Sequence, residues 1–506
     1  MRAVISVYRK EGVEKLAKAL QRLGYEILST GGTAKYLREH GIQTEEIAKV
    51  TGFPEILNGR VKTLHPVIHG GILYRDWIDK DREEIEELGI IPVDIVVVNL
   101  YPFEEMMKEN LEEEELMEFI DIGGPSLIRA AAKNYFRVIV LVDPEDYGWV
   151  IDKLEKGELE RKDRAYLAWK AFSHTAYYDS VISNALKRLF KIEEEGKELS
   201  LPMKLGTRLR YGENPHQRGI LYHNPFEDIG IAKSQVLQGK EMSFNNYLDA
   251  DSAVRIVLEF PNDPACVIVK HNNPCGVATG SDLKDAFLKA RETDPESAFG
   301  GIVAFNNTVN KELAEELTSM FLEVVIAPAY EEEALEVLSK KKNLRVIKFL
   351  GMSYSYDIKK VSGGFLLQDE DRELYDTLQV VTERKPTEGE FNDLIFAWKV
   401  CKYVKSNAVV IARGGRSLGI GSGQVSRVDS LRCAIEKAVR HGFDLKGAVL
   451  ASEAFFPFRD SIDIAAEAGI TAVIQPGGSI RDDEVLSAAN EHGMSMVFTK
   501  MRHFRH

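Results

Sequence analysis

The sequence predicts an α/β protein in two parts: a domain built around a parallel sheet over residues 1–200, and two similar α/β lobes over residues 201–506. Two patterns predict it. In the first part, short and wholly apolar runs alternate with segments of helical spacing, as expected of strands buried on both faces of a parallel sheet. In the second part, the order strand, turn, strand, helix, strand occurs twice, in pattern though not in identity.

The elements follow in order. Arg2–Val7 is apolar and strand-like, Glu14–Leu23 has helical spacing, and Tyr25–Ser29 is a second strand ending at Thr30-Gly31-Gly32-Thr33, before a helix over Ala34–Glu39. Asp94–Asn99 and Val138–Val142 are continuous apolar runs, and a long helical pattern runs from Arg161 to Glu194. The charged stretch Glu193–Gly206 predicts a linker. In the first lobe (about 201–355), Ala265–Val269 leads through a polar turn to Gly276–Thr279, the helix Leu283–Arg291 and the strand Gly301–Phe305. In the second (about 372–506), Ala408–Ala412 leads through a Gly turn to Leu418–Gly421, the helix Leu431–Val439 and the strand Ala448–Ser452. The stretch Ile347–Asp371 between them has no readable role.

Composition bounds the function. At 506 residues the chain exceeds one core, and 44% hydrophobic with 28% charged residues is ordinary for a globular protein. Cys266, Cys275, Cys401 and Cys433 are widely spaced, which predicts reduced thiols in a cytoplasmic protein. No apolar run approaches the ~18 residues that span a bilayer. A net charge of −14 argues against nucleic acid or an anionic membrane as partner, so phosphate binding requires local positive charge.

Four segments of the first part fit a phosphorylated ligand. Thr30-Gly31-Gly32-Thr33 sits where a strand meets a helix, so backbone N–H groups and the helix N-terminus favour an anion; a Gly pair there is more often a plain turn. Gly59-Arg60-Val61-Lys62-Thr63-Leu64-His65-Pro66 packs two cations and a hydroxyl into four residues, and its alternative is a solvated loop. Asn99-Leu100-Tyr101-Pro102-Phe103 ends a buried strand, where open α/β sheets hold ligands. Asp121-Ile122-Gly123-Gly124 precedes the apolar helix Leu127–Ala132 and Lys133, a residue that also suits the helix dipole.

In the second part, Lys270 and His271 stand side by side directly after a buried strand, in Lys270-His271-Asn272-Asn273-Pro274-Cys275-Gly276. Such a pair suits a base with an oxyanion stabiliser better than a lone loop residue does. The zinc-deaminase pattern is incomplete: Pro274-Cys275 is present, but Ala278 stands where a second Cys is needed, so no metal is expected.

Together TGGTA, GRVKTLHP, NLYPF and IDIGGPSLIRAAAKN, followed by QGKEMSFNNYLDADSA, SAFGG, GIGSGQVSRVDS, EAFFPFRDSID and QPGGSIRDDE, resemble the AICAR transformylase/IMP cyclohydrolase family over nearly the whole chain. The resemblance implies a methylglyoxal-synthase-like N-terminal domain and two cytidine-deaminase-like lobes. It implies formyl transfer from the co-substrate 10-formyltetrahydrofolate to AICAR, cyclisation of FAICAR to IMP, and a homodimer. For cyclisation it implies nucleotide contacts at Lys10, Thr30, Gly31, Gly32, Thr33, Arg60, Val61, Lys62, Thr63, Asn99 and Ile122, with Lys133 moving a proton beside Asp121 and Tyr101. For transfer it implies catalysis by Lys270 and His271 with help from Asn407. AICAR contacts would fall at Arg210, Tyr211, His216, Gly300, Glu323, Phe455 and Arg502, and folate contacts at Asp460, Ser479 and Ile480. His271 suits removal of the amine proton, while Lys270 either stabilises the oxyanion or protonates the departing nitrogen. Phe455 and Phe456 offer an apolar wall or core packing. The chain departs from the family's SVSDKTG at Ser6-Val7-Tyr8-Arg9-Lys10-Glu11-Gly12, which leaves Arg9 as a further cation for phosphate. Two rival readings are a non-catalytic nucleotide sensor, which has no use for Lys270 and His271, and a zinc deaminase on the same scaffold.

Overall fold

The computed structural model describes residues 1–506, which divide into two compact units, Met1–Met203 and Lys204–His506. The first unit carries a five-stranded sheet with every pairing parallel. In spatial order its strands are Glu45–Glu46, Glu26–Ser29, Arg2–Val7, Ile95–Asn99 and Ile139–Leu141. Ala3, Val4, Ile5, Val96 and Val97 are fully buried, so helices cover both faces. The chain winds outward from Arg2–Val7 in one direction, then returns to build Ile95–Asn99 and Ile139–Leu141 on the other side. Because parallel crossovers are right-handed, this reversal opens a crevice at the C-terminal ends of Arg2–Val7 and Ile95–Asn99.

Several boundaries differ from the sequence reading; the long helix ends at Leu189, and the helix expected from Leu431 starts at Arg427. Helix Gly31–Glu39 starts before Ala34, so the Gly pair forms its first turn, and helix Gly123–Lys133 likewise starts before Leu127. Glycine's poor helix propensity hides both starts. The expected linker runs into a strand, Lys204–Leu209, paired with Gly219–His223.

In the second unit each lobe holds a six-stranded sheet. The first is ordered Pro274–Thr279, Ala265–Val269, Ile302–Phe305, Val324–Ala327, Arg345–Lys348, Gln235–Gln238. The second is Ser417–Gly421, Val409–Ala412, Val449–Ser452, Ala472–Gln475, Ser495–Phe498, Gln379–Val380. In both, the third to fifth strands are parallel and the other pairings antiparallel. Gly276 and Gly419 face Ile268 and Ile411 at matching places, and a Cβ on either would collide with the carbonyl oxygen of Ala290 or Ala434. Only glycine lets the following helix lie so close to its strand.

The lobes join edge to edge. Ala278 bridges Arg416, and Ser417 Oγ accepts from the Val277 N–H at 2.9 Å. One apolar core then runs through both lobes, with Ala250, Val254 and Val257 from helix Phe244–Val257 and Leu394, Ala397 and Trp398 from helix Glu388–Cys401. The unread stretch between the lobes forms an exposed hairpin, Tyr356–Val361 with Gly364–Asp369. No helix is long and apolar enough to cross a membrane.

The second lobe also encloses an ion pair, Arg427 with Glu453, whose side chains are 6% and 0% exposed. Arg427 donates further to Ser452 Oγ at 2.8 Å and to Asn407 Oδ1 at 2.9 Å. Removing one partner strands the other charge, so Glu453→Ala should cost ~3–5 kcal/mol in urea denaturation. A change below ~0.5 kcal/mol, the range of ordinary surface substitutions, would refute this.

Candidate functional site

The crevice of the first unit holds a cavity of about 700 Å³. It gathers Lys10, Thr30, Gly32, Thr33, Arg60, Lys62, Thr63, Asn99, Tyr101, Asp121 and Ile122, residues from every motif of that half. Gly31 stands in the same helical turn at φ 28°, and Val61 bridges Ile56.

Much of this set is fastened internally. Thr33 Oγ1 donates to the Val7 carbonyl at 2.9 Å and accepts from Lys10 Nζ at 3.0 Å. Asn99 Oδ1 accepts the Tyr8 and Arg9 N–H groups at 2.6 and 3.1 Å, and its amide donates to the Arg9 carbonyl at 2.9 Å. Asn99 therefore sets the turn that carries Lys10. Burial lowers the Lys10 pKa. Arg9, expected as a further cation for phosphate, pairs its guanidinium with Glu105 and does not line the cavity. Tyr8 instead lies edge-on to Tyr101, ring centres 5.7 Å apart. Arg60 pairs with Glu118, and Lys62 with Glu55 at 3.7 Å.

Asp121 is held from two sides. Its Oδ1 accepts the Gly124 N–H at 2.7 Å, and its own N–H donates to the Tyr178 hydroxyl at 2.9 Å. Tyr178 in turn donates to the Phe119 carbonyl at 2.8 Å. Sequence reasoning missed Tyr178, which sits in the long helix Arg161–Leu189 with no local signal. Burial pushes the Asp121 carboxyl above its ordinary value, against two backbone N–H donors and the Lys62 charge. Burial, and then the Asp121 charge, raise the Tyr101 phenol. A carboxylate of raised pKa suits a general base, and a protonated phenol suits oxyanion stabilisation.

Lys133 does not stand beside them. It closes the 11-residue helix Gly123–Lys133 and lines a separate apolar cleft with Arg129, Trp169 and Phe172. A helix of that length spans ~16 Å, which no lysine side chain recrosses. The cation acting on Asp121 within the chain is Lys62.

In the second unit, Lys270, His271, Asn273 and Cys275 line a cavity of about 470 Å³ with Asp294, Glu296 and Ser297 of their own lobe and Ser422 and Lys437 of the other. Lys437 Nζ meets Asp294 at 3.2 Å across the lobe junction, a pair not foreseen from sequence because the partners are far apart in the chain. Lys270 Nζ donates to the Phe299 carbonyl, next to Gly300. Asn273 Oδ1 accepts the Lys405 N–H at 2.9 Å, tying this turn to the segment of Asn407. Asn407 Oδ1 accepts from Arg427 at 2.9 Å, and Nδ2 donates to the Gln424 carbonyl at 2.9 Å. Burial, first among several influences, pushes the Cys275 thiol up to about 12.

The remaining expected contacts do not line this cavity. Arg210, Tyr211 and His216 lie on the loop between Lys204–Leu209 and Gly219–His223, with Arg210 over the Tyr211 ring at 4.8 Å. Glu323 pairs with Arg345 at 2.7 Å, and Arg502 stacks on Phe504 at 4.5 Å. Phe456 is core, while Phe455 is 37% exposed, which leaves Phe455 alone to contact a ring. Asp460 opens helix Asp460–Glu467, and Ser479 precedes a fully exposed Ile480.

A parallel α/β domain with an anion crevice, joined to a twin-lobed unit with a Lys–His pair at the lobe junction, defines a two-site enzyme of phosphorylated metabolites. The family model of the AICARFT/IMPCHase bienzyme matches residues 131–437, and that of the MGS-like domain residues 12–126. The bifunctional purine biosynthesis protein PurH of Aquifex aeolicus is 73% identical over 506 residues, covering 100% of both chains. Proteins of the same name from Persephonella marina and Caldicellulosiruptor bescii are 54% and 53% identical, each covering 100% of this chain and 99% of theirs. The chain belongs to the AICARFT/IMPCHase bienzyme family and is a bifunctional AICAR transformylase/IMP cyclohydrolase of purine biosynthesis.

The raised Asp121 carboxyl has a consequence for stability. The folded state disfavours its ionised form, so stability falls as pH rises above the ordinary carboxyl value of 3.8. Asp121→Asn should therefore raise Tm at neutral pH, by calorimetry, with the gain fading below pH 3.8. A Tm gain that is the same in acid would contradict this assignment.

Proposed function

We propose that the Met1–Met203 unit cyclises FAICAR to IMP, and that the Lys204–His506 unit moves the formyl group of 10-formyltetrahydrofolate to AICAR. The observation that carries the first half is the convergence of Asp121, Tyr101 and Lys62 in an anion-binding crevice. The carboxamide nitrogen attacks the formamide carbon as Asp121 takes one of its protons, and Tyr101 and Lys62 stabilise the resulting oxyanion; that oxygen then leaves as water with the proton from Asp121 and the N–H proton of the formamide nitrogen, whose electron pair forms the ring C=N bond. Lys10, Arg60, Thr30, Thr33 and Thr63 hold the phosphate and ribose, with Gly31, Gly32 and Ile122 supplying backbone groups.

In the second unit the ring amine of AICAR is conjugated and a weak nucleophile. It attacks the formyl carbon while His271 takes its proton, and His271 returns that proton to the folate nitrogen as the carbon–nitrogen bond to the folate breaks. Lys270 stabilises the oxyanion and Asn407 orients the group. A homodimer accounts for the residues left outside the two cavities. The exposed loop of Arg210, Tyr211 and His216, and Lys133 in its cleft, would serve the sites of the second subunit. Exposed Trp169 and Tyr166 beside Lys133, and Phe365 and Leu366 on the hairpin, supply apolar surface for such a contact. Phe455 and Arg502 would hold AICAR with Gly300 and Glu323, and Asp460, Ser479 and Ile480 the folate. Four unpaired cysteines fit a cytoplasmic protein.

Pure protein given AICAR and 10-formyltetrahydrofolate should form IMP. His271→Ala should lower transfer by ~10²–10⁴ and still cyclise added FAICAR, whereas Asp121→Asn should let FAICAR accumulate. Loss of both activities in either variant would overturn the two-site assignment. If Lys133 acts across the dimer, a mixture of Asp121→Asn and Lys133→Ala subunits should regain about a quarter of parental cyclisation. No recovery would leave Lys62 as the sole cation of that reaction.

A further inference from the structure

We propose that Asp249 is a positioning residue of formyl transfer, holding the Lys270–Asn273 turn in the conformation that presents His271. The proposal rests on the transfer reading above. Asp249 lies on helix Phe244–Val257, and its Oδ1 accepts the backbone N–H of Asn272 at 2.6 Å. One turn further along that helix, Ser252 Oγ donates to Asn272 Oδ1. The helix thus grips both the main chain and the side chain of the residue that follows His271.

That grip answers a need. His271 and Asn272 have φ 105° and 53°, left-handed values that side-chain-bearing residues keep only when their surroundings impose them. On the opposite side Asn273 Oδ1 accepts the Lys405 N–H at 2.9 Å, and the Lys270 N–H closes the turn on the Asn273 carbonyl at 3.1 Å. The turn is therefore pinned to the second lobe by Asn273 and to the first by Asp249.

The internal repeat shows the same device without the chemistry. In the second lobe the matching turn is Arg413-Gly414-Gly415-Arg416, between Val409–Ala412 and Ser417–Gly421, with Gly414 and Gly415 at φ 62° and 66°. Asp393, at the matching place on helix Glu388–Cys401, accepts the Gly414 and Gly415 N–H groups at 2.9 Å each. The two lobes share one turn and one aspartate clamp. Where the second lobe uses glycines, which accept these angles freely, the first carries His271 and Asn272, so its clamp must hold the backbone against their side chains. Burial raises the Asp249 carboxyl, opposed by the Asn272 N–H and then by the His271 charge, which sets this carboxylate within electrostatic reach of the imidazole.

The test uses full-length enzyme and steady-state transfer kinetics with AICAR and 10-formyltetrahydrofolate. Asp249→Ala removes the acceptor and should lower kcat ~30-fold with KM for AICAR within ~3-fold, as expected when a reacting group is displaced and not a binding contact. Asp249→Asn keeps an oxygen acceptor of the same shape and should recover kcat to within ~5-fold of the parent. Asp393→Ala, the same removal in the other lobe, should leave kcat within ~2-fold. The proposal fails if Asp249→Ala keeps parental kcat, if Asp249→Asn falls as far as alanine, if the loss lies in KM alone, or if Asp393→Ala loses as much. Should Asp249→Ala not fold by circular dichroism, Ser252→Ala replaces it, with a kcat drop of ~3-fold expected and an unchanged kcat overturning the proposal. Absence of transfer in the parent enzyme would sink the underlying reading instead, so the two failures are distinct.

Discussion

Strands buried on both faces can offer chemistry only at their ends, and this constraint organises the protein. Ala3, Val4 and Ile5 in the first sheet, and Val267 and Ile268 in the second unit, are sealed from solvent. Lys10, Thr30 and His271 accordingly sit in the turns or caps that follow such strands, and Asn99 is the last residue of one. A turn at a strand end is the least self-supporting part of an α/β fold, because its backbone groups have left the ladder. Here side chains from other elements supply the missing support: Asn99 fastens Tyr8 and Arg9, Tyr178 fastens Asp121, and Asn273 ties the His271 turn to the second lobe. These polar residues make the reactive geometry reproducible without entering the reaction.

The electrostatics follow a similar economy of place. In a chain with a net charge of −14, Lys10, Arg60 and Lys62 are gathered around one cavity. In the first unit several cations already have carboxylate neighbours, Arg9 with Glu105, Arg60 with Glu118 and Lys62 with Glu55. Exposed pairs of this kind are weak in water, and a phosphate with more charge and more acceptor oxygens competes well for the same guanidinium or ammonium. Asp121 is of another sort: burial raises its pKa, the property that a proton acceptor working near neutral pH requires.

The twin lobes show how one scaffold is divided between stability and reaction. Strand order, direction, the glycines facing Ile268 and Ile411, and the aspartate-held turn all recur. What differs is the residue at the left-handed positions, glycine in one lobe and His271 with Asn272 in the other. The second lobe also encloses the Arg427–Glu453 pair, to which Asn407 is hydrogen-bonded.

The sequence by itself determined the fold class, the apolar strands, the repeat and the family, since each is written in local periodicity or in short contiguous motifs such as GRVKTLHP and KHNNPCG. It also marked Tyr101 and Asp121 as one set, and the crevice does gather them with Lys62. It placed Lys133 with that set because motif order says nothing of distance along a rigid helix. Tyr178, Asp294 and Lys437 left no trace in the sequence, and Asp249, inside the motif QGKEMSFNNYLDADSA, gave no sign of its partner, for these contacts join residues apart in the chain. Only tertiary structure could decide these, because a hydrogen bond or ion pair depends on separation in space, and folding sets that separation independently of separation along the chain.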